Sequence, residues 1–310
     1  MVYSSHKVKV IHTFQILRQE QQMDDEHTQE RKDMKKVHST EKKSAKEYAV
    51  FVHDVATYYK KFGRHGLPWR KKINPYRILV SEVMLQQTQV SRVVPKFELW
   101  MKQYPTLAAL SKSNLRDVLI LWQGLGYQRR AKALLAIAQE KKTLPRTFDQ
   151  LLQLSGIGTY TASAICSFAY NQFSHPVLET NIRTALIEYF HQGEDEVHDG
   201  LLYDDLIRLE SVAKVKLLGA REWYYALMDF GAHLKANKIS HNKKSVHYVK
   251  QSPYKGSLRE LRANTLFAIT KGETLPQEER VSIVLEQLLK EGYITKKRCH
   301  YVLVEKFSTR

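Results

Sequence analysis

LSGIGTYTASAI, residues 154–165, places two glycines two positions apart directly before a predicted helix. Glycines at the start of a helix let backbone N–H groups approach an anion closely. A dinucleotide-binding turn would need a third glycine after a buried strand, and position 161 is Thr. A P-loop is excluded because no Gly-Lys-Ser/Thr follows. The preceding FDQLLQL, residues 148–154, has helical apolar spacing, so the glycines join one helix to another.

The turn itself suits a phosphate contact, because Gly156 and Gly158 lack a Cβ and allow the chain to bend sharply against an anion. It resembles the helix–hairpin–helix element, in which backbone amides hold one DNA phosphate. Such a contact positions a protein but reads no sequence. A plain corner between two helices would explain the same glycines.

The charge balance points to a polyanionic partner. Lys and Arg total 49 against 32 Asp and Glu, which gives +17 over 310 residues. Neutralised phosphates release counterions, so nucleic acid is the favoured partner; a solvated basic surface is the alternative. The two cysteines, Cys166 and Cys299, form no CxxC pair, which excludes a zinc or four-cysteine site built from cysteine alone. With no long apolar run and no secretory signal, we expect a cytoplasmic protein, nucleoid-associated in a prokaryote, without a membrane contact.

Composition divides the chain into four parts. Residues 1–46 are polar and predict a disordered tail or a frayed helix. Residues 47–234 show apolar side chains at helical spacing and predict an all-α domain. Residues 235–253 form a basic linker, either solvated or following a phosphate backbone.

Residues 254–304 predict a small C-terminal domain. SLRELRANTLFAIT (257–270) is a helix, a second helix runs from Pro276 to Gly292, and ITKKRCHYVLVEK (294–306) predicts a two-stranded ribbon. This order resembles a winged helix, a family that often binds DNA through its second helix and in many members binds protein instead.

SEVMLQQTQ, residues 81–89, concentrates polar side chains beside an apolar helix face. Glu82 lies on a predicted helix whose apolar positions include Val83, Leu85 and Val90. Such a carboxylate either faces solvent, as most helix carboxylates do, or lines a pocket.

Five motifs occur in one order: LPWR (67–70), SEVMLQQTQV (81–90), LWQGLGY (121–127), LSGIGTYTASAI (154–165) and PVLETNIR (176–183). Residues 47–234 are in this respect similar to the helix–hairpin–helix (HhH-GPD) DNA glycosylase superfamily, and within it to the adenine glycosylases (MutY-like). The resemblance implies two α-helical lobes with DNA bound across the cleft. It implies a base-excision enzyme that removes adenine opposite guanine or 8-oxoguanine.

The resemblance also assigns the chemistry. Glu82 is the general acid that protonates adenine, kept neutral by a dry pocket, and Glu179 stabilises the oxocarbenium-like sugar. The family carries aspartate at the position of Glu179, and a misplacement of about 1 Å can cost about a hundredfold in rate. Asn181 neighbours that carboxylate. Tyr160 occupies the place of the Schiff-base lysine of bifunctional relatives, which predicts a monofunctional enzyme.

By the same resemblance, Gln87 wedges into the base stack as the adenine is flipped out. Trp69 and Arg70 form the wall of the base pocket. For Trp69 and Leu125, packing in the core is an equal alternative. The complete set expected to contact DNA is Gln86, Gln87, Thr88, Leu125, Gly126, Tyr127, Gly156, Gly158 and Thr159.

Two family features are missing. KANKISHNKKS (235–245) stands where many members carry the four cysteines of an iron–sulfur cluster, so we expect no metal and no cofactor. We also expect no nudix-like domain for the recognition of 8-oxoguanine, because the winged-helix-like residues 254–304 stand in its place. We expect a monomer acting on duplex DNA with a mismatched or damaged base. A glycosylase for thymine or uracil opposite guanine or for alkylated bases, and a non-catalytic DNA-binding protein, remain alternatives.

Overall fold

The computed structural model describes residues 43–246, 253–297 and 300–304. Thirteen α-helices of residues 43–246 follow one another: α1 Ala45–Phe62, α2 Pro68–Lys71, α3 Pro75–Leu85, α4 Val90–Gln103, α5 Leu107–Ser111, α6 Leu115–Trp122, α7 Arg129–Glu140, α8 Phe148–Leu152, α9 Thr159–Tyr170, α10 Thr180–Phe190, α11 Asp199–Ser211, α12 Ala213–Leu218 and α13 Ala220–Ala236. A short 3₁₀ turn at Asn242–Lys244 comes next, and the C-terminal elements are α14 Leu258–Lys271, α15 Glu279–Lys290, β1 Ile294–Lys297 and β2 His300–Leu303.

The chain forms two compact units, and the prediction of an all-α domain over residues 47–234 is confirmed. Unit 1 comprises the described residues within Met1–Gly63, Leu178–Leu218 and Trp223–Tyr248. Unit 2 comprises those within Arg64–Val177, Gly219–Glu222 and Val249–Arg310. Among the described residues, β1 and β2 are the only β-strands, and they form one ribbon.

Unit 1 has an aromatic core. Phe51 of α1 lies 4.6 Å from Tyr189, 5.0 Å from Phe190 and 6.2 Å from Phe230, measured between ring centroids. Tilted and edge-on contacts of this kind add to the free energy gained by burying the rings. Helices α1, α10 and α13 therefore supply this core, and each lies within the region where apolar spacing predicts helices.

A buried carboxylate ties the start of α1 to α11. Asp205, 3% exposed, accepts hydrogen bonds from Lys43 Nζ at 2.9 Å and from Tyr48 Oη at 2.5 Å, and it pairs with His191 Nε2 at 2.7 Å. Burial, which raises the pKa of Asp205, is outweighed by these hydrogen bonds and by the Lys43 charge, so its pKa lies below the usual value.

The predicted tail of residues 1–46 needs one correction at its end. Ser44 is the N-cap of α1 in a reciprocal capping box with Glu47, and Lys43 bonds Asp205. Lys43 and Ser44 are therefore part of the folded unit 1, because their polar groups bond Asp205 and Glu47. Residues 1–42 lie outside the described part of the chain, so the prediction of a tail stays a prediction for them.

Unit 2 is built around α3, which is covered on every side. All seven residues from Ile78 to Met84 are buried, and α3 packs against α4, α7 and α9. Helix α9 is equally enclosed, with Thr161 to Phe168 buried. A helix that is apolar on most faces packs in the interior of a protein. Because α3 is such a helix, its one acidic residue, Glu82, is buried with it.

The continuous helix expected through Val90 is wrong. Helix α3 ends at Leu85, residues 86–89 form a turn, and α4 begins at Val90. Gln and Thr have ordinary helix propensities, so nothing local marks this break. Its cause is a tertiary contact from Arg130, described below.

The C-terminal helices and ribbon are confirmed in order. β1 and β2 are antiparallel with Ile294 opposite Leu303 and Lys297 opposite His300. Helix α14 packs against both α15 and α6. The winged-helix interpretation of this arrangement stays a prediction.

The predicted linker of residues 235–253 is partly held in place. Helix α13 continues to Ala236, and Lys244 Nζ donates to the carbonyls of Gln192 and Glu194, each at 2.8 Å. The interpretation as a solvated linker did not anticipate these contacts within unit 1. Within the residues that the structure describes, none of the helices combines the length and hydrophobicity that a membrane span requires.

Candidate active site and DNA-contact residues

Glu82 of α3 is buried and hydrogen-bonded. Its side chain is 2% exposed, so the alternative of a solvent-facing carboxylate is wrong. The hydroxyl of Tyr160, in the first turn of α9, donates to Glu82 Oε2 at 2.8 Å. The second helix of the glycine hairpin therefore supplies a partner for the predicted general acid.

A second side-chain contact joins the same two helices. Gln86 Nε2, at the end of α3, donates to Thr161 Oγ1 of α9 at 3.1 Å. Together with the bond between Tyr160 and Glu82, it fixes the end of α3 relative to the start of α9. The structure thus brings the SEVMLQQTQ and LSGIGTYTASAI motifs together in unit 2.

Arg130 holds the turn that follows α3. Its Nη1 donates to the carbonyls of Val83, Met84 and Gln86 at 2.8, 3.1 and 2.6 Å. Its Nη2 lies 2.8 Å from the Leu125 carbonyl. The guanidinium is thus a cap for the C-terminus of α3, whose last carbonyls have no partner inside the helix.

The same Nη2 reaches two further oxygens, the carbonyl of Gly126 at 3.1 Å and Thr88 Oγ1 at 3.4 Å. Arg130 is 6% exposed, and burial lowers its pKa to about 10. Sequence reasoning missed this residue. The signal was present, since position 130 precedes the buried Leu134 and Ile137 by four and seven residues and so lies on the apolar face of α7.

The two turns that Arg130 joins each contain a strained residue. Gln87 has φ of 53° and Tyr127 has φ of 45°, in the left-handed region that residues other than glycine seldom adopt. Gln87 is exposed, and Tyr127 is half-buried. Backbone strain of this kind persists only where surrounding contacts impose it.

The glycine hairpin has one glycine that the fold requires and one that it tolerates. Gly156 has φ of 75°, and a Cβ there would lie 2.7 Å from the Cβ of Ala133 in α7. Gly158 has φ of −98°, and a Cβ would meet nothing within 4 Å. Gly158 is the N-cap of α9 without a side-chain cap, and it is exposed, as is Thr159.

Two of the predicted site residues, Trp69 and Leu125, lie in the core. Trp69 is 2% exposed and packs edge-on against Phe97 at 5.4 Å, while Leu125 is 4% exposed. Both observations favour the alternative of core packing for these two residues. Arg70 is half-buried.

Glu179 and Asn181 lie in unit 1, whereas the other candidate residues lie in unit 2. Glu179 is the N-cap of α10, and its Oε1 accepts from the backbone amides of Asn181 and Ile182, both at 2.9 Å. Its Oε2 accepts from Asn181 Nδ2 at 3.1 Å. The amides and the dipole at a helix N-terminus both favour a carboxylate there.

Gly231 of α13 is another residue that sequence reasoning missed. A Cβ at this position would lie 2.0 Å from the carbonyl oxygen of Asn181, so only glycine allows the two backbones to approach. This contact fixes the first turn of α10, which carries Glu179. A glycine inside an otherwise apolar helix, as in MDFGAHL, was the available signal.

Among the described residues, no group of three or more His, Cys, Asp or Glu side chains is placed to hold a metal ion. An iron–sulfur cluster needs four ligands, commonly cysteines, and this chain has two cysteines. Cys166 is buried within α9. The residues present therefore do not fit a four-cysteine cluster.

Comparison of sequences identifies named relatives. An adenine DNA glycosylase of Mycolicibacterium smegmatis is 46% identical over 138 residues, covering 43% of this chain and 47% of that protein. The adenine DNA glycosylase of Buchnera aphidicola subsp. Baizongia pistaciae is 36% identical over 189 residues, covering 59% and 52%. The human enzyme is 38% identical over 146 residues, covering 43% and 27%. The chain thus spans about half the length, or less, of these curated relatives.

Comparison of structures gives the same fold. A thermostable thymine-DNA glycosylase is 22% identical with a TM-score of 0.52, covering 64% of this chain and 92% of that chain. Endonuclease III trapped as a covalent intermediate with DNA is 16% identical with a TM-score of 0.50, covering 69% and 92%. Residues 80–206 match the family model described as HhH-GPD superfamily base excision DNA repair protein. These residues, which contain both Glu82 and the glycine hairpin, are what this chain shares with the HhH-GPD superfamily of base excision DNA repair proteins.

Proposed function

We propose that this chain is a monofunctional DNA glycosylase that hydrolyses the N-glycosidic bond of adenine paired with guanine or 8-oxoguanine. The names of its relatives support adenine as the base. The observation that carries the proposal is the buried Glu82, bonded by Tyr160 from the hairpin helix.

Glu82 is proposed as the general acid. It donates a proton to the adenine ring as the bond between the base and the sugar breaks, and the electron pair of that bond leaves with the base. Burial disfavours the charged form of a carboxyl group, which suits a proton donor. The Tyr160 hydroxyl, 2.8 Å from Oε2, orients the carboxyl group. Water then adds to the sugar and loses a proton, which restores the acid form of Glu82, so the products are free adenine and an abasic site.

Tyr160 also limits the reaction to base removal. A phenol cannot form the imine through which a lysine would cleave the DNA strand. Because Tyr160 bonds Glu82, it has a place in the proposed site without being a nucleophile. We therefore expect no β-lyase activity.

Glu179 is proposed to stabilise the positive charge that develops on the sugar. Its two oxygens are held by the amides of α10 and by the Asn181 side chain, which fixes a carboxylate that is one methylene longer than aspartate. A charged group held in advance stabilises a transition state without reorganisation. The N-cap position is the physical basis on which glutamate replaces aspartate here.

DNA is proposed to bind unit 2 through the hairpin and the two strained turns. The +17 charge favours a polyanion, and the exposed Gly158 and Thr159 start α9 without a side-chain cap. Gln87 is proposed to enter the base stack, since it is exposed on a turn that Arg130 fixes. We further propose that the enzyme is a monomer and works without an iron–sulfur cluster, because the chain lacks the cysteines for one.

Single-turnover excision from a duplex with one adenine opposite 8-oxoguanine tests the proposal. Wild type is expected to give an alkali-sensitive product, and Glu82→Gln is expected to bind the duplex but not to cleave the base. The departure at Glu179 requires duplexes with thymine or uracil opposite guanine in the same assay. A preference for those duplexes of more than about tenfold, 1.4 kcal/mol in barrier height, would contradict adenine specificity. Binding without turnover on any duplex would leave a non-catalytic DNA-binding protein.

A further inference from the structure

The C-terminal residues 253–297 and 300–304, here called the C-terminal module, contact the LWQGLGY motif of unit 2. Helix α14 packs against α6, whose last residue is Trp122. From the first turn of α14, Arg259 Nη1 donates to the hydroxyl of Tyr127 at 2.9 Å. Both side chains are half-buried. The module therefore binds directly to a residue that the motif comparison places beside the DNA.

A second contact docks the module independently of Tyr127. Lys132 Nζ donates to the carbonyls of Glu291 and Gly292 at 2.6 and 3.3 Å, and it lies 4.8 Å from the ring centroid of Tyr293. Because Lys132 holds the end of α15, loss of the Arg259 contact does not by itself release the module.

Tyr127 is held in a strained conformation among cationic side chains. Its φ is 45°, and its ring centroid lies 5.9 Å from the Arg129 guanidinium and 5.5 Å from that of Arg130. The backbone next to Tyr127 is fixed by the hydrogen bond from Arg130 to the Gly126 carbonyl. A bond from Arg259 holds the far end of the side chain, the phenol oxygen.

The exposed face of α15, the second helix of the module, does not favour a grip on phosphates of its own. Its exposed charges are Glu279, Arg280, Glu286 and Lys290, two of each sign. Counterion release requires an excess of positive charge at the contact. The contact with Tyr127 is therefore a better indication of the module's role than this helix.

We propose that the C-terminal module sets base-pair discrimination by holding the Tyr127 phenol through Arg259, which makes Arg259 a positioning residue. The proposal rests on the proposed function in taking Tyr127 as a DNA contact. A phenol fixed before DNA arrives does not have to be ordered on binding, and it meets the base pair in one orientation. A freely rotating phenol would contact matched and mismatched pairs more equally.

Binding measurements in a Glu82→Gln background test this separately from catalysis. Fluorescence anisotropy gives Kd for a duplex with adenine opposite 8-oxoguanine and for the same duplex with adenine opposite thymine. The Kd for adenine opposite thymine, divided by the Kd for adenine opposite 8-oxoguanine, measures discrimination. Arg259→Met and Tyr127→Phe are each expected to reduce this ratio by about threefold to tenfold, the equivalent of one hydrogen bond. The double variant is expected to show no further loss, and Arg259→Lys is expected to recover part of the ratio.

Lys132→Met is the matched control, because it weakens docking of the module without touching Tyr127. It is expected to lower the thermal stability while leaving the Kd ratio within about twofold of the parent. The proposal is overturned if Arg259→Met leaves the ratio unchanged, if Lys132→Met reduces it equally, or if the effects of Arg259→Met and Tyr127→Phe add. Equal binding of both duplexes by the parent also overturns it. Whether wild type excises adenine is decided by the turnover assay alone.

Discussion

Replacement of Arg130 by lysine keeps the positive charge at this site and removes the planar arrangement of donors. The two terminal nitrogens of Arg130 carry four N–H groups, and these serve oxygens of α3, of the turn at residues 86–89 and of the turn at Leu125 and Gly126. A lysine ammonium has three donors on one nitrogen and cannot reach both turns at once. We expect Arg130→Lys to be stable enough to purify but measurably weakened.

The magnitude follows from the hydrogen bonds lost. If lysine loses two or three of the hydrogen bonds that these four N–H groups make, at about 1 kcal/mol each, the free energy of unfolding falls by about 2–3 kcal/mol. For a domain of this size, that lowers Tm by roughly 4–12 °C. The 86–89 turn and the Tyr127 turn then lose their common anchor, so nothing holds their backbones in the strained conformation. DNA binding must restore that conformation and therefore bears the cost of ordering both turns.

Differential scanning calorimetry measures the stability, and single-turnover excision over a range of enzyme concentrations separates DNA binding from the chemical step. We expect binding to weaken about tenfold, because about 1.4 kcal/mol of ordering cost is moved to the binding step. Arg129→Lys is the matched control, since Arg129 is the neighbouring residue and is exposed. An Arg130→Lys variant with the Tm and DNA affinity of wild type would show that Arg130 does not fix the turns.

Three further outcomes follow from the geometry. Gly156→Ala is expected to lower the free energy of unfolding by about 1–3 kcal/mol, because it combines a positive φ with a close contact. Gly158→Ala is expected to leave the free energy of unfolding unchanged and to weaken DNA binding. Equal losses of stability in the two variants would contradict this. Tyr160→Phe removes the donor to Glu82 and is expected to slow single-turnover excision about tenfold with DNA affinity retained, and an unchanged rate would exclude an orienting role. The folded pKa of Asp205 lies below its unfolded value, so its ionised form contributes stability that is present above about pH 4 and is lost as the pH falls through the folded pKa. The free energy of unfolding, measured by chemical denaturation at several pH values, should therefore fall less on acidification for Asp205→Asn than for wild type. Parallel curves of unfolding free energy against pH for the two proteins would refute this prediction.

The sequence predicts those parts of the fold that depend on local pattern. Apolar spacing identifies the helices, and the glycine pair identifies the hairpin between α8 and α9. The end of α3 at Leu85 is not predictable in this way, because the group that caps it comes from Arg130, 45 residues along the chain. A tertiary contact overrides propensity there, as it often does.

The candidate site divides along the same line. The sequence identifies Glu82 and Tyr160 only as members of two motifs, and their hydrogen bond depends on the packing of α3 on α9. The N-cap role of Glu179 is local and could have been predicted, since an acidic side chain directly precedes an apolar helical pattern. The contact of Arg259 with Tyr127 joins residues 132 positions apart, and nothing in either segment indicates it.

Three costly features of unit 2 lie at one guanidinium. Gln87 and Tyr127 have positive φ, and Arg130 is a buried charge whose hydrogen bonds go to carbonyl and hydroxyl oxygens. Glycine at positions 87 and 127 would adopt the same backbone without strain. A chain selected for stability alone would therefore gain by losing both side chains. Their presence, on turns that a costly buried charge holds together, is explained if the side chains of Gln87 and Tyr127 are the groups that contact DNA.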